Sequence, residues 1–292
     1  MMRHPTPSSL LPSRQRGFTL VEMIMVIVIT GIIGGMVAVF LTAPIEQYTA
    51  VARRADMTDI ADTALRRVAR DLRMALPNSV RVTGTCDGTA TCFIEFLPTG
   101  SASCAAGAPC LGGGRYRAGA GGTDDELDFA AADASFEVLG PMPTVAADDE
   151  IVVYNLGIPG ADAYAGDNRA TAAAPAAPVV NLAPAFLFPF DSPGRRFHVV
   201  TTPVTYACAP VAGGVGGTLT RWQGYAIAAV QPVVLPAGGS SALLATNVSS
   251  CRFTYDSNVV AQRSGLVTML LAITEQGETV TLYSASHVSN QP

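Results

Sequence analysis

Residues 18–43 read FTLVEMIMVIVITGIIGGMVAVFLTA, and this stretch decides how the whole chain is organised. A run of this length and apolarity is long enough to cross a bilayer as a helix. Its single charged side chain is Glu22, close to the N-terminal end. A carboxylate in a membrane helix costs about 2.5–3.5 kcal/mol even on insertion scales, so it calls for a partner. The sequence therefore predicts a membrane anchor with one acidic group that needs a counter-charge.

A short basic leader, residues 1–17, precedes the apolar run. It holds three arginines and no acid, and its three prolines disfavour a helix. In an ordinary secretory signal the apolar core precedes the cleavage site and is removed, whereas here the apolar run follows the candidate junction. Because positive charge stays on the cytoplasmic side, we expect a single-pass protein with its N-terminus in the cytoplasm.

The junction Arg16-Gly17-Phe18-Thr19-Leu20-Val21-Glu22 resembles the class III signal of type IV pilins and type II secretion pseudopilins. The resemblance implies cleavage between Gly17 and Phe18 by a prepilin peptidase, which also methylates the new N-terminus at Phe18. It also makes Glu22 the glutamate at mature position five. The alternative is a plain signal anchor with an incidental glutamate.

The spacing between Phe18 and Glu22 suggests why the acid is there. Cleavage creates a cationic amine at Phe18, and four helical residues rise by about 6 Å. Glu22 can then meet its own amine or that of a neighbouring subunit displaced along the helix axis. Such pairing removes the cost of an isolated buried charge, and the carboxylate sets the height at which a subunit enters a filament.

Gly31 and Gly35 form a small-xxx-small pair within the apolar run, with Gly34 beside them. This pattern permits close approach of two helices in lipid. Glycine is also simply more common in membrane helices, and glycines can mark a segment that loosens on assembly. These readings stay open at the level of sequence.

Residues 44–76 continue with helical spacing beyond the membrane, and Pro44 is expected to kink this helix without necessarily ending it. An apolar stripe predicts the buried face: Ala61, Leu65, Val68, Leu72 and Ala75. Four arginines occupy the remaining surface: Arg66, Arg67, Arg70 and Arg73. We interpret them as a solvated face rather than a nucleic-acid patch, with i,i+4 pairs to Asp62 and Asp71. Pro77 is expected to close the helix.

Residues 77–292 form the head, where short β-branched and aromatic runs alternate with Gly, Pro, Ala and Asp. The fold class is therefore α+β: a long N-terminal helix followed by a β-rich, pilin-like head. Predicted strands cover residues 92–97, 126–129, 136–139, 151–156, 197–202, 225–230, 251–255, 266–274 and 279–287. The last two are expected to form a C-terminal hairpin around Gln276-Gly277. Low complexity predicts surface loops at 99–125, 159–189 and 232–241.

All six cysteines lie in the head: Cys86, Cys92, Cys104, Cys110, Cys208 and Cys251. An even number in a translocated domain indicates disulfides. Their spacing suggests two local loops, Cys86–Cys92 and Cys104–Cys110, and a long-range pair, Cys208–Cys251. Fifteen connectivities are formally possible, and spacing alone does not choose among them.

The C-terminal half is similar to minor pilins of the mannose-sensitive haemagglutinin (MSHA) type IV pilus system. The similarity rests on RRFHVV at 195–200, TYAC at 205–208, NVSSCRFTY at 247–255 and RSGLV at 263–267. Residues 99–190 lie outside it. Minor pilins of the PilW type and J-type pseudopilins share the plan of a long helix and a β-rich head.

The sequence lacks the residues and motifs that several kinds of enzyme site require. All 18 basic residues are arginine, which excludes a P-loop lysine and a Schiff-base lysine. The mature chain would keep only His198 and His287, both in strand-like runs, and it has no HExxH or GxSxG motif. The glycine runs at 112–114 and 213–217 lack the context of a phosphate loop. We expect no enzyme activity and no cofactor.

Two acidic clusters, 124–128 and 148–150, do not match the spacing of a calcium loop and are interpreted as solvated turn charges, so no metal is expected. Loss of the three leader arginines would take the net charge from −5 to −8, which is unfavourable for binding nucleic acid.

The resemblance implies four partners: prepilin peptidase, other pilins through the N-terminal helix, the inner-membrane assembly platform and membrane lipid. We expect the protein to reside in the inner membrane, with its head in the periplasm, and then in a pilus. A secretion pseudopilin and an adhesive module at the pilus tip are the alternatives.

Overall fold

The structure is a computed structural model that describes residues 17–101, 103–104, 110–118, 125–174, 177–255 and 264–292, apart from the side chains of residues 42–45. The leader up to residue 16 lies outside these ranges, as do Asp124 and parts of two predicted loops. By internal contacts the chain divides into two units, Met1–Ala52 and Arg53–Pro292.

Helix α1 spans Leu20–Leu72 and remains helical through Pro44. Its end comes four residues before the predicted one, at Leu72 rather than Leu76. The reason is that the next residues already bond to the head: Ala75 bridges Pro98, and the Leu76 amide donates to the Leu97 carbonyl at 2.7 Å. The chain therefore pairs with the head like a strand at the place where the last turn of the helix was predicted.

The part of α1 within the second unit has the two faces that its sequence predicts. The stripe is buried in one core cluster, with Met57, Ala61, Ala64, Leu65, Val68 and Leu72 all at most 4% exposed. On the opposite face, Arg66 pairs with Asp62 at 2.6 Å and Arg67 with Asp71 at 3.3 Å. Asp71 also accepts from the Tyr206 hydroxyl at 2.7 Å and pairs with Arg221 at 2.8 Å, so it ties the helix to the sheet.

Fourteen strands occupy the described part of the head. In chain order they are β1 (Arg81–Gly84), β2 (Cys92–Phe96), β3 (Gly113–Tyr116), β4 (Asp133–Leu139), β5 (Glu150–Val153), β6 (Arg169–Thr171), β7 (Val179–Phe186), β8 (Arg196–Val200), β9 (Val204–Ala209), β10 (Thr218–Gln223), β11 (Ser240–Thr246), β12 (Val248–Tyr255), β13 (Ser264–Glu275) and β14 (Glu278–Ser289). The described residues contain no helix other than α1.

Two sheets pack with the helix in the first lobe of the head, which comprises residues 77–96 and 204–292. One has the order β1-β2-β9-β10-β11 and the other β12-β13-β14. Their inward side chains join the helix stripe in one core, which includes Ile94, Phe96 and Met269. The predicted C-terminal hairpin is confirmed, because β13 and β14 pair along their whole length around Gln276-Gly277. Both turn residues have positive φ, 49° and 82°, as a two-residue hairpin turn requires.

Residues 97–203, which we call the inserted lobe, interrupt the first lobe between β2 and β9. These two strands are paired neighbours, and Phe96 lies opposite Val204. The inserted lobe holds a six-stranded sheet, β6-β5-β8-β3-β4-β7, with its own core around Phe136, Phe188 and Phe197.

Several sequence predictions of strands and loops were wrong. Strands β3, β6 and β7 lie in segments predicted as loops because their glycine, alanine and proline content hides a strand pattern. Pro184 is compatible with β7 because β7 is an edge strand. Residues 126–129 contribute only a bridge at Leu127, and residues 225–230 form no strand.

A buried polar network holds segment 225–231 in place of the predicted strand. Glu95 is fully buried and pairs with Arg81 at 2.6 Å. Glu95 also accepts hydrogen bonds from the hydroxyls of Thr205 at 2.8 Å and Tyr225 at 3.0 Å. Arg81 donates to the carbonyls of Ala228 and Ala229. A buried carboxylate without such partners would be strongly destabilising, so the network fixes this loop on the sheet.

The two lobes meet across a small apolar cluster that includes Leu76, Leu97 and Val200. Beside it, the Asn155 side-chain amide donates to the Pro77 carbonyl at 2.7 Å, and the Tyr164 hydroxyl donates to the Ser79 carbonyl at 3.0 Å. The Arg81 guanidinium lies 3.5 Å from the centre of the Tyr164 ring. The lobes are therefore joined by both packing and directional bonds.

Three disulfides join Cys86 to Cys92, Cys104 to Cys110 and Cys208 to Cys251. These are the pairs that the spacing suggests. The third connects β9 in one sheet to β12 in the other, across 43 positions of sequence. It closes the longest loop, and so it restricts the unfolded chain most.

We therefore expect the disulfides to differ in their contribution to stability. Replacing both Cys208 and Cys251 by alanine should lower the free energy of unfolding by about 4 kcal/mol, whereas the Cys86→Ala/Cys92→Ala pair should cost about 2 kcal/mol, from loop closure alone. Chemical denaturation of the full chain in detergent micelles measures both. Equal losses would contradict this order.

Candidate functional site

The N-terminal junction lies outside the helix. Gly17, Phe18 and Thr19 precede the first helical residue, Leu20, and Phe18 is 75% exposed. The peptide bond between Gly17 and Phe18 therefore carries no helical hydrogen bonding that a peptidase would have to break. The predicted processing residues are thus placed where cleavage is sterically possible.

Thr19 caps the helix, a feature that the sequence interpretation missed. The Glu22 amide donates to the Thr19 hydroxyl, and the Met23 amide donates to the Thr19 carbonyl, both at 3.2 Å. Glu22 is then the third residue after the cap, in the helix's acidic first turn. The signal was present in the sequence, since Thr-x-x-Glu at 19–22 is the capping-box pattern.

Glu22 thus has two possible roles. Near the N-terminus of a helix its charge suits the helix dipole, and its carboxylate is also free to meet a cation from outside the chain. Within the ranges that the structure describes, Glu22 takes part in no ion pair. The two roles need variants that separate them.

The rest of the apolar run is uncovered. Its large side chains from Phe18 to Leu41 are all at least half exposed. A Cβ atom added at Gly31, Gly34 or Gly35 would meet nothing within 4 Å. Helix α1 is long and apolar enough to cross a membrane by length and composition. No packing contact among the described residues therefore requires these glycines, and the exposed surface suits contact with lipid or with other helices.

The second acidic cluster, residues 148–150, agrees only in part with its prediction as solvated turn charges, because Asp148 is exposed in a turn but Asp149 and Glu150 are not. Asp149 is only 3% exposed and accepts from the Ala146 amide at 2.7 Å, while Glu150 pairs with Arg169 at 2.8 Å. They are structural contacts because their partners lie in the same lobe. Among the described residues no group of three or more His, Cys, Asp or Glu side chains could hold a metal ion.

The two histidines of the head occupy different environments. His287 is exposed on β14, whereas His198 on β8 is mostly buried. Burial, and to a lesser extent the nearby Arg196 charge, lower the pKa of His198 from 6.5 to about 4, against a hydrogen bond to the Gly112 backbone. The His198 Nε2 atom has no hydrogen-bond partner among the described residues. The His198 ring is therefore neutral at physiological pH.

This depressed pKa predicts a pH dependence of stability. Because the unfolded ring takes up a proton near pH 6.5 and the folded ring only near pH 4, stability should fall by roughly 3 kcal/mol as the pH drops through that window. His198→Asn should remove this part of the slope. The exposed His287→Asn serves as the matched control, and denaturation at each pH gives the profile. Identical profiles for all three proteins would contradict the assignment.

Comparison with known proteins supports the N-terminal site alone. Residues 12–38 match the family model of the prokaryotic N-terminal methylation motif. Searches of curated proteins and of solved structures give no match. The matched range contains Gly17, Phe18, Glu22, Gly31 and Gly35, and so it covers the whole predicted processing and assembly site.

The motif is the prepilin signal of type IV pilin-like proteins, and it implies processing by prepilin peptidase and assembly with pilins. An apolar helix, fit for a membrane anchor, and a β-rich head with three disulfides follow it. This signal, with the apolar helix and the β-rich head, supports a type IV pilin-like or pseudopilin-like protein.

Proposed function

We propose that this protein is a minor pilin of an MSHA-type pilus, of the MshO kind, that takes part in assembling the pilus or in initiating it. The observation that carries the proposal is the helix surface from Phe18 to Leu41, which is apolar, uncovered by the described residues of the chain and marked by a single acid. The resemblance of four short segments, at 195–200, 205–208, 247–255 and 263–267, to MSHA minor pilins supports the choice of system. The role is structural rather than enzymatic.

The proposed assembly begins in the inner membrane, with the N-terminus in the cytoplasm and the head in the periplasm. Prepilin peptidase removes the leader and leaves a methylated, cationic amine at Phe18. The assembly platform then moves the helix out of lipid and against the helices of other pilins. Gly31 and Gly35 allow close helix contact, since their faces are open.

Glu22 supplies specificity in this scheme. An acid in an apolar bundle is tolerated when a cation lies beside it, and each subunit brings one cation at its new N-terminus. A neighbour at the wrong height would leave both charges unpaired. The pair therefore selects one axial position for an incoming subunit.

A second candidate, a unit at the filament tip with a binding function, is favoured by the inserted lobe. Residues 97–203 add a whole sheet and core to the head beyond the lobe that packs on the helix. A subunit at the tip has no neighbour above it and so has room for such an addition. The J-type pseudopilin of a secretion system shares the same signal, and its loss would impair secretion instead.

Cleavage at the N-terminal junction tests the proposed processing. The mature protein should begin with methylated Phe18, lack the leader and have its net charge lowered by three. Gly17→Leu should leave the full-length precursor in the membrane, because a bulky side chain is placed at the scissile bond. N-terminal sequencing and intact-mass measurement read both results. A native chain that still begins at Met1 would overturn the proposal.

Two variants separate the role of Glu22 in charge pairing from its role in helix capping. Glu22→Gln keeps an amide that can take part in the capping box but removes the charge, so incorporation into filaments should fall at least tenfold. Thr19→Val removes the cap, at a cost of about 1 kcal/mol, but keeps the charge, and incorporation should be nearly unchanged.

Immunoblots and immunogold labelling of sheared filaments measure incorporation, with cleavage checked for both variants. Normal incorporation of the Glu22→Gln protein would rule out the charge pair. A loss in Thr19→Val as large as that in Glu22→Gln would assign the motif to capping alone.

A further inference from the structure

An arginine pair on the inserted lobe has no counter-charge among the residues that the structure describes. Arg115 on β3 and Arg196 on β8 are register partners, directly opposite each other in antiparallel strands. Partners in such a pair point to the same face of the sheet, with Cβ atoms about 4.5–5.5 Å apart. Like charges in this position repel, so the arrangement costs stability unless an anion offsets it.

Among the described residues no acid offsets this pair. Both arginines are exposed, and neither has an ion-pair partner within the described chain. By contrast, four other arginines of the head pair with carboxylates: Arg81, Arg117, Arg169 and Arg221. Arg195 and Arg252 also take part in no described ion pair, but Arg115 and Arg196 lie directly opposite each other, so their charges are concentrated at one place.

The pair lines a shallow, open cleft. The cleft has a volume of about 530 Å³, and its other lining residues include Thr99, the glycines 112–114 at the start of β3, and Ser289 and Gln291 near the chain end. Apart from Arg115 and Arg196, the only ionisable side chain among its lining residues is His198. The cleft thus offers two guanidinium groups, hydroxyls and backbone to a ligand of a few heavy atoms.

The pKa of His198 reflects the positive charge in this cleft. His198 lies two residues from Arg196 on the same strand and therefore on the same face, opposite Gly113, which has no side chain. The Arg196 charge helps to hold the His198 pKa low, as an uncompensated cation would. Its unpartnered Nε2 is a second sign that the polar groups here are not satisfied by the protein itself.

We propose that this cleft binds a doubly charged oxyanion, a phosphate or sulfate group, between Arg115 and Arg196. Guanidinium groups present paired N–H donors that match the oxygen edges of such groups, and two of them balance two negative charges. A carboxylate carries one charge and would leave one arginine uncompensated. The site differs from a phosphate loop because side chains on strands, rather than the N-terminus of a helix, supply the donors. It does not depend on the proposed role in the pilus.

Isothermal titration of the full chain in detergent micelles, at fixed ionic strength in a phosphate-free buffer, tests the site. Inorganic phosphate and sulfate should bind with one-to-one saturation, and acetate at least tenfold more weakly. Arg115→Gln and Arg196→Gln should each weaken phosphate binding at least tenfold. The exposed helix variant Arg70→Gln, which removes the same charge elsewhere, should leave it unchanged.

Two further measurements sharpen the test. With phosphate bound, the His198 ring should titrate at a higher pH by NMR, because the anion offsets the Arg196 charge. The affinity for glucose 6-phosphate is then compared with that for inorganic phosphate. Tighter binding of glucose 6-phosphate would assign the site to a phosphorylated saccharide, and weaker binding would assign it to the free ion.

Three results would overturn the proposal: no saturable phosphate binding, acetate binding as tight as phosphate binding, or an equal loss in Arg70→Gln. Thermal melting of each variant confirms folding, and both arginines are exposed enough for glutamine to be accommodated.

Discussion

The organisation of this protein depends on one helix surface that has no packing partner among the described residues. Hydrocarbon tolerates the apolar run from Phe18 to Leu41, but it tolerates the Glu22 carboxylate only at a cost, and the chain itself supplies no cation within its described residues. Farther along the same helix, the stripe from Met57 to Leu72 is buried in the core of the head. A single helix thus lacks packing partners in one part and is packed along one face in the other. This asymmetry suits a subunit that must fold alone and then join a larger assembly.

The head holds its half of the helix by different means. Apolar side chains from two sheets close over the stripe, while Asp71 connects the polar flank to Tyr206 and Arg221. The Cys208–Cys251 disulfide joins the two sheets within that core. Buried Glu95 then fixes the loop at 225–231. The lobe that carries the helix is therefore cross-linked by packing, charge and covalent bonds.

Sequence predicted those parts in which one physical effect dominates. The apolar run, the helix stripe and the C-terminal hairpin follow from hydrophobicity and periodicity, and the disulfide pairs agree with those that the spacing suggested without deciding. The inserted lobe was missed because β3 and β6 are short, and because glycine, alanine and proline weaken the pattern of β3, β6 and β7. The Arg115–Arg196 pair could not be predicted either, since it arises from the register of two strands whose paired residues are 81 positions apart in sequence. Thr19, by contrast, was readable as a cap and was overlooked.

The inserted lobe leaves and re-enters the head through neighbouring strands, with Phe96 opposite Val204. Its two ends are consequently no farther apart than the ends of a hairpin turn. A module attached in this way can lengthen, shrink or change its surface without disturbing the register of the sheet that grips the helix. New surface contacts can then arise in one region of the head, while the region that packs against the helix stays unaltered.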